Sequence, residues 1–350
     1  MKFRYLQKTF SQNCIAHTKT FAKTNRQLKQ NITKMNRTKE KIYGILFGQA
    51  IGDALGLAAE GMSRDMVAAT YPNGVNDYAD IVQDEFRSRW LRGAWTDDTD
   101  QMLCVLDSLL DKGAIDPYDI ASRFLKWFHS GGQGVGRHTY NVLQMPQYEM
   151  YPYKAAEFVW RLSKKNNAPN GALMRTCILG IWDWQNAAAV RTNTECVCRL
   201  THFDPRCVGS CVIATHIIDC ELLGTPISEE AIIRIGTEYA PEIEKFVRLG
   251  FQPDLGKLHL DDRGTKGYTL RTLAAGLWAY NFGTDFRTAL QAIIAEGGDT
   301  DTNGAVAGAL MGARMGYRAL PETWVTGLMN KELLEERIER LIRHPNVLNI

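Results

Sequence analysis

Thr96-Asp97-Asp98-Thr99-Asp100 sets three carboxylates and two hydroxyls in five consecutive residues, between Gly93 and the apolar run Met102 to Leu110. At a helix N-terminus the dipole and free amides relieve such crowding, which accounts for one or two of the acids. Three point to a hard divalent cation, since carboxylate and hydroxyl oxygens are the donors Mg²⁺ and Mn²⁺ prefer. A second run, Glu296-Gly297-Gly298-Asp299-Thr300-Asp301-Thr302-Asn303, again precedes a helical pattern. Two oxygen-rich nests, about 200 residues apart, are what a two-metal site in a helical bundle requires. The alternative is two unrelated N-caps. Neither cluster contains His, which disfavours zinc there.

The elements that must position these nests read as helices. Apolar periodicity marks 98–112, 117–129, 206–223, 228–249, 269–281, 285–295 and 331–343, with Gly113, Gly131, Gly224, Gly250 and Gly283 just past such runs. Alternating strand patterns are nearly absent. The fold class expected is all-α, a single multi-helix orthogonal bundle with a binuclear metal cleft, over residues 39–350. Two segments carry glycine at every fourth position: Gly44, Gly48, Gly52, Gly56 and Gly304, Gly308, Gly312, Gly316. On a helix each set is a stripe without side chains, costing about 1 kcal/mol per residue relative to Ala. Tight packing at the centre of the bundle must offset that cost, and the two stripes are candidates to pack on each other.

Composition narrows the classes. The 350 residues are 45% hydrophobic and 23% charged, enough for a sizeable core and unlike a disordered chain. No apolar run approaches the roughly 20 residues of a membrane span, so no membrane association is expected. The formal charge of +2 hides an asymmetry. Nine of the 41 Lys and Arg lie in residues 1–38, which contain no Asp or Glu, leaving 32 basic against 39 acidic residues in the remainder. Residues 1–38 are expected to be a flexible basic extension: a partner-binding arm, a transit-like segment, or an upstream extension without a role. Nucleic acid is not an expected partner. Eight cysteines are too few for a disulfide scaffold and suggest a reducing cytoplasm. Five lie between Cys196 and Cys220, near His202 and His216, but in C-x-C and C-x₃-C spacing rather than paired C-x₂-C knuckles. That favours buried thiols on apolar helix faces over zinc.

Six motifs in order carry a resemblance. They are Gly52-Asp53-Ala54-Leu55-Gly56 with Glu60, Trp95 to Thr99, Asn170 to Arg175, Thr201-His202-Phe203-Asp204-Pro205, Gly267 to Leu273, and Gly297 to Asn303. Together they resemble the ADP-ribosylglycohydrolase family, which includes dinitrogenase reductase-activating glycohydrolases and ADP-ribosylarginine hydrolases. The resemblance implies an all-α binuclear enzyme in which Thr96, Asp97, Asp98, Asp299, Asp301 and Thr302 hold two Mg²⁺ ions, with Mn²⁺ as the alternate. It implies substrate contacts at Asn170, Gly171 and Arg175, with His202 and Tyr268 on the adenosine side of the cleft. The Ser130 to Gly136 run offers bare amides of Gly134 and Gly136 to phosphate, or is simply a flexible loop.

The implied reaction cleaves the bond from C1″ of ADP-ribose to a side-chain nitrogen and builds positive charge on the ribose, as in other glycoside hydrolyses. Asp98 or Asp301 is the candidate to take a proton from water, and Glu60 the candidate to assist the leaving group. The expected function is removal of mono-ADP-ribose from modified protein, arginine first. Some bacterial hydrolases of this type serve as immunity proteins against ADP-ribosyltransferase toxins, and the basic arm fits an extension that occludes a cognate toxin. Alternatives are a general or nitrogenase-type hydrolase, a non-catalytic ADP-ribose or partner binder, and a two-metal phosphohydrolase. There is no G-x-S-x-G elbow, Walker A or dinucleotide fingerprint.

Overall fold

The computed structural model describes residues 35–348. It divides into units 1–40 and 41–350; of the first, residues 35–40 are described and are helical. The expected arm, residues 1–38, therefore lies outside the described residues except at its last four.

The second unit begins with α1, residues 41–56. It continues with α2 (Arg64–Thr70), α3 (Asp97–Lys112), α4 (Pro117–His129), α5 (Arg137–Leu143), α6 (Pro152–Leu162) and α7 (Ala187–Cys198). Then follow α8 (Pro205–Leu223), α9 (Glu229–Thr237), α10 (Glu242–Gly250), α11 (Thr269–Phe282), α12 (Phe286–Ala295), α13 (Thr300–Met315), α14 (Glu322–Gly327) and α15 (Lys331–Ile342). Among the described residues the extended pairing is a single antiparallel bridge, Pro169 to Tyr268. The fold class is all-α, as expected.

The glycine stripes meet. A methyl on Gly48 would lie 2.3 Å from the Gly308 carbonyl oxygen, and one on Gly308 would lie 2.0 Å from that of Gly48. Gly44 stands in the same relation to Gly312. The pairing is antiparallel and allows no side chain between the backbones, so the end of α1 meets the start of α13. Around this seam Ile42, Ile45, Ile51, Leu273 and Leu277 are fully buried. Burial of each such side chain contributes about 1.5–3 kcal/mol, which offsets the cost of the glycines.

Three expectations are corrected. The pattern over 228–249 is two helices, α9 and α10, because Pro241 follows the turn at Glu238–Ala240 and lacks the N–H that a continuous helix would use. Gly250 and Gly283 are not left-handed caps like Gly113 and Gly224. They are sites of close approach, where a methyl would strike Leu277 Cβ and the Ala279 carbonyl. Finally, the helix over Met35–Ala59 is long and apolar enough to cross a membrane by length and composition, but its apolar stretch is 94% buried inside the molecule, as in a core helix.

Candidate active site

The antiparallel register of α1 and α13 brings the two acidic turns together, and Asp53 locks the first of them. From inside α1 its carboxylate accepts four hydrogen bonds: Thr96 N–H (2.9 Å) and Oγ1 (2.8 Å) at Oδ1, Thr99 N–H (3.0 Å) and Oγ1 (2.6 Å) at Oδ2. Burial pushes Asp53 up to about 6, with these four bonds pulling the other way. On the other side Thr300 Oγ1 donates to the Gly56 carbonyl at 2.6 Å, tying the start of α13 to the end of α1.

Neither helix uses its cap residue as a cap. Ser63, Asp116, Asn186, Asp204, Ser228 and Asp285 each accept a backbone N–H at their helix starts. Thr96 and Asp299 do not. Thr96 is committed to Asp53, and Asp299 Oδ2 accepts from Asn170 Nδ2 at 2.8 Å. Both cap side chains are thus spent on tertiary partners rather than on their own helices.

Asp97, Asp98 and Thr302 are buried at the junction, and one oxygen of Asp98, Oδ1, has no hydrogen-bond partner. Carboxylate oxygens of Glu60, Asp299 and Asp301 lie within 4.8 Å of one another. Burial, then repulsion from Asp53, Asp97 and Asp299, holds Asp98 well above the usual carboxylate range. Burial, then Glu60, Asp98 and Asp299, does the same to Asp301. The two turns thus share one field. Buried like charges with an orphaned oxygen call for a cation, and an all-oxygen donor set fits a hard divalent ion. Thr96, Asp97, Asp98, Asp299, Asp301 and Thr302 are placed where they can hold such ions, and Glu60 stands among them.

Glu60 sits at the end of the turn after α1. Arg87 fixes that turn by donating to the carbonyls of Leu57 (3.0 Å), Ala58 (2.8 Å) and Glu60 (2.7 Å). Glu60 Oε2 accepts the Thr300 N–H at 3.1 Å and Oε1 pairs with Lys266 Nζ at 2.6 Å. Burial and Asp299 push Glu60 up to about 7 while Lys266 draws it down. Gly297 and Gly298, both at positive φ, let the turn before α13 fold against Met62 and Leu260, where a methyl would lie 2.6 Å and 2.0 Å from their carbonyl oxygens.

The remaining expected residues fall into two groups. Asn170 is beside the acids, steadied by Thr272 Oγ1 at 2.9 Å and by its own N–H to the Gly267 carbonyl. Gly134, at positive φ, lies against Asp97, where a methyl would come 2.5 Å from Oδ1. Gly136 opens α5 with free space beside it. Tyr268 is half-buried, edge-on to Phe246, with Arg206 over its ring. Arg175 and His202, by contrast, are fully buried. Arg175 lies on the Phe124 ring and donates to Gln101 Oε1 (2.7 Å) and Thr201 Oγ1 (2.5 Å). Gln101 Nε2 in turn donates to Asp97 Oδ2 at 2.9 Å. Arg175 therefore acts through Gln101 on Asp97, not by touching the cleft surface.

Thr201 Oγ1, which accepts from Arg175, also lies within hydrogen-bond distance of His202 Nδ1, at 2.7 Å. Burial, with His138 and Arg175 adding to it, holds His202 well below its ordinary value and keeps it neutral. Nε2 has no partner and faces Gly171, where a methyl would lie 3.2 Å away.

Three further residues of this candidate site are not among those expected from the sequence. Asp53 had a signal, a carboxylate within the glycine stripe of an otherwise apolar helix. Gln101 and Lys266 had none, since their partners are distant in sequence.

A cavity of about 310 Å³ is walled by Trp90, Trp95, Trp127 and the Ser130–Gln133 turn, with Asp100 accepting the indole N–H of Trp95 (2.8 Å) and of Trp127 (3.0 Å). Its wall sets one carboxylate among three indoles, a lining suited to cationic groups.

The comparisons agree with this geometry. The family model for ADP-ribosylglycohydrolase matches residues 34–348. An ADP-ribosylarginine hydrolase of Serratia proteamaculans is 26% identical over 86% of this chain and 79% of its own length. An ADP-ribosyl-[dinitrogen reductase] glycohydrolase of Rhodospirillum rubrum is 26% identical over 87% of this chain and 93% of its own. A solved structure described as an ADP-ribosylglycohydrolase-related protein complex superposes with a TM-score of 0.69 at 29% identity, covering 88% of this chain and 98% of that one. The chain belongs to the ADP-ribosylglycohydrolase family.

Proposed function

We propose that this hydrolase requires two Mg²⁺ ions, with Mn²⁺ as a substitute, and removes mono-ADP-ribose from modified arginine side chains. The observation that carries the reading is the release of both helix caps: Thr96 and Asp299 turn from their helices toward a buried group of acids in which Asp98 Oδ1 is unpartnered. Two relatives named as ADP-ribosylarginine hydrolases, at 26% and 24% identity, support the choice of arginine.

When bound, the ions supply positive charge that orients vicinal ribose hydroxyls and acidifies water. The residues of the chain do the rest. Asp98 Oδ1, free of hydrogen bonds, is available to accept a proton from the attacking water. Asp301 is the alternative acceptor, its Oδ1 already taking the Thr302 N–H at 2.9 Å. Glu60, near 7, can hold or release a proton at neutral pH and serves the leaving guanidine. Asn170 holds Asp299, and Gln101 with Arg175 holds Asp97. The amides of Gly134 and Gly136 are assigned to the pyrophosphate, Asn170 and Gly171 to the substrate loop, and Tyr268 to the adenosine side, which the buried His202 supports from behind Gly171. Arg175 keeps a positioning role.

The test is release of intact ADP-ribose from a panel of ADP-ribosylated acceptors, with Mg²⁺, with Mn²⁺ and after chelation. Metal-dependent release from arginine alone supports the reading. Release from serine moves the acceptor, AMP as product selects a phosphohydrolase, and no turnover selects a binder.

We further propose that residues 1–38 form an arm that engages a cognate ADP-ribosyltransferase toxin in the cytoplasm, making the protein an immunity factor. The acid-free basic composition of that segment and the arginine-hydrolase relatives support it. Deleting residues 1–34 should leave hydrolysis intact and weaken toxin binding; equal affinity of both forms rejects the idea.

A further inference from the structure

Away from the cleft, α8 carries a second set of donors. His216, Asp219 and Cys220 stand at i, i+3 and i+4, neighbouring positions on a helical surface. One ligand atom from each lies within 4.8 Å of the others. The cysteines do not form zinc knuckles, but the spacing that matters here is His to Cys across one helical turn.

Asp219 makes this more than helical coincidence. Its side chain is 0% exposed and neither carboxylate oxygen has a hydrogen-bond partner. Its nearest cation is the His216 imidazole, whose Nδ1 lies 3.6 Å away, within ion-pair range but too long for a good hydrogen bond, and whose Nε2 lies 3.7 Å from Cys220 Sγ. The buried ammonium of Lys41 does not serve it, being bound to Glu221 at 2.5 Å, whose other oxygen accepts from Tyr280 at 2.6 Å. A buried carboxylate that accepts no hydrogen bond is poorly compensated by one long ion pair. On its outer side the cluster has access to solvent: His216 and Cys220 border an open cavity of about 640 Å³ whose wall includes Thr225, Ser228 and Glu238.

We propose that His216, Asp219 and Cys220 bind a transition-metal dication of the zinc class, in a site independent of the acidic cleft and with a fourth position open to water. Imidazole, carboxylate and thiolate together suit Zn²⁺ or Co²⁺, and a thiolate disfavours Mg²⁺. Binding releases two protons to solvent, one from Cys220 and one from the His216 imidazolium, and the ion replaces that imidazolium as the counter-charge of Asp219.

Co²⁺ tests this on the full-length chain, kept reduced and first stripped of metal. One equivalent should produce thiolate-to-cobalt absorption in the near ultraviolet and tetrahedral bands in the visible. Cys220→Ser should abolish the thiolate band, and His216→Ala should weaken binding at this site by about tenfold or more. Asp97→Ala, which alters the acidic cleft, should leave the band unchanged. A second measurement needs no variant: Zn²⁺ should slow iodoacetamide alkylation of Cys220, mapped by mass spectrometry, by about tenfold or more, while Mg²⁺ should not. A wild-type chain without the band, a band that survives in Cys220→Ser, or alkylation indifferent to Zn²⁺ overturns the proposal.

Discussion

A methyl on Gly52 would lie 2.0 Å from the carbonyl oxygen of Gly304, and one on Gly304 would lie 2.3 Å from that of Gly52. The two backbones touch one residue from Asp53 and three from Asp301, so the closeness of the helices also sets the closeness of the acids. Gly52→Ala or Gly304→Ala must separate them. Urea unfolding should show a loss of about 2–4 kcal/mol for either variant, and calorimetric titration should show weaker Mg²⁺ binding. Gly264→Ala, in a turn with space around it, should leave both unchanged.

The metal-free protein should lose stability as pH rises. Asp53 and Glu60 stand at about 6 and about 7 in the fold, above their ordinary values, and Asp97, Asp98 and Asp301 are also raised. Groups raised in the fold contribute stability that is present below their unfolded values and is lost as pH climbs through their folded ones. Thermal melts in chelator should therefore fall between about pH 4.5 and pH 7.5, by something on the order of 2 kcal/mol. Added Mg²⁺ should restore more stability at pH 7.5 than at pH 5. A chelated protein that grows more stable across this range contradicts the assignment.

Lys266 lowers the proton affinity of Glu60 through their 2.6 Å contact. Lys266→Met removes that cation, so Glu60 should hold its proton to higher pH. The pH–rate profile for ADP-ribose release should move upward on its alkaline limb, where the proton of Glu60 is lost, by about one unit. In Glu60→Gln that limb should vanish and kcat should drop by about a hundredfold or more.

Arg175 touches Gln101, and Gln101 touches Asp97. Gln101→Leu breaks the relay at its middle. Mg²⁺ affinity should fall about 10- to 100-fold, as when other residues that orient metal ligands are removed, while circular dichroism stays native. Unchanged affinity would make Arg175 a packing residue only.

Much of this was written locally. Helix positions follow from apolar periodicity, and the acid-rich turns and the glycine stripes are runs of adjacent or regularly spaced residues, so their chemistry can be read without knowing where the chain goes next. Even the pairing of the stripes follows from the sequence, because eight costly glycines need a partner without side chains.

Tertiary structure decided the rest, because those interactions join residues far apart in the chain. The Lys266–Glu60 pair, the hold of Asn170 on Asp299, and the burial of Arg175 against Phe124 leave no local trace. Nor does the register of α1 on α13, which turns two separate acid-rich loops into one electrostatic field. Asp219 makes the same point: its residue type is plain in the sequence, but only packing around α8 strips its carboxylate of donors and leaves it facing a thiol and an imidazole.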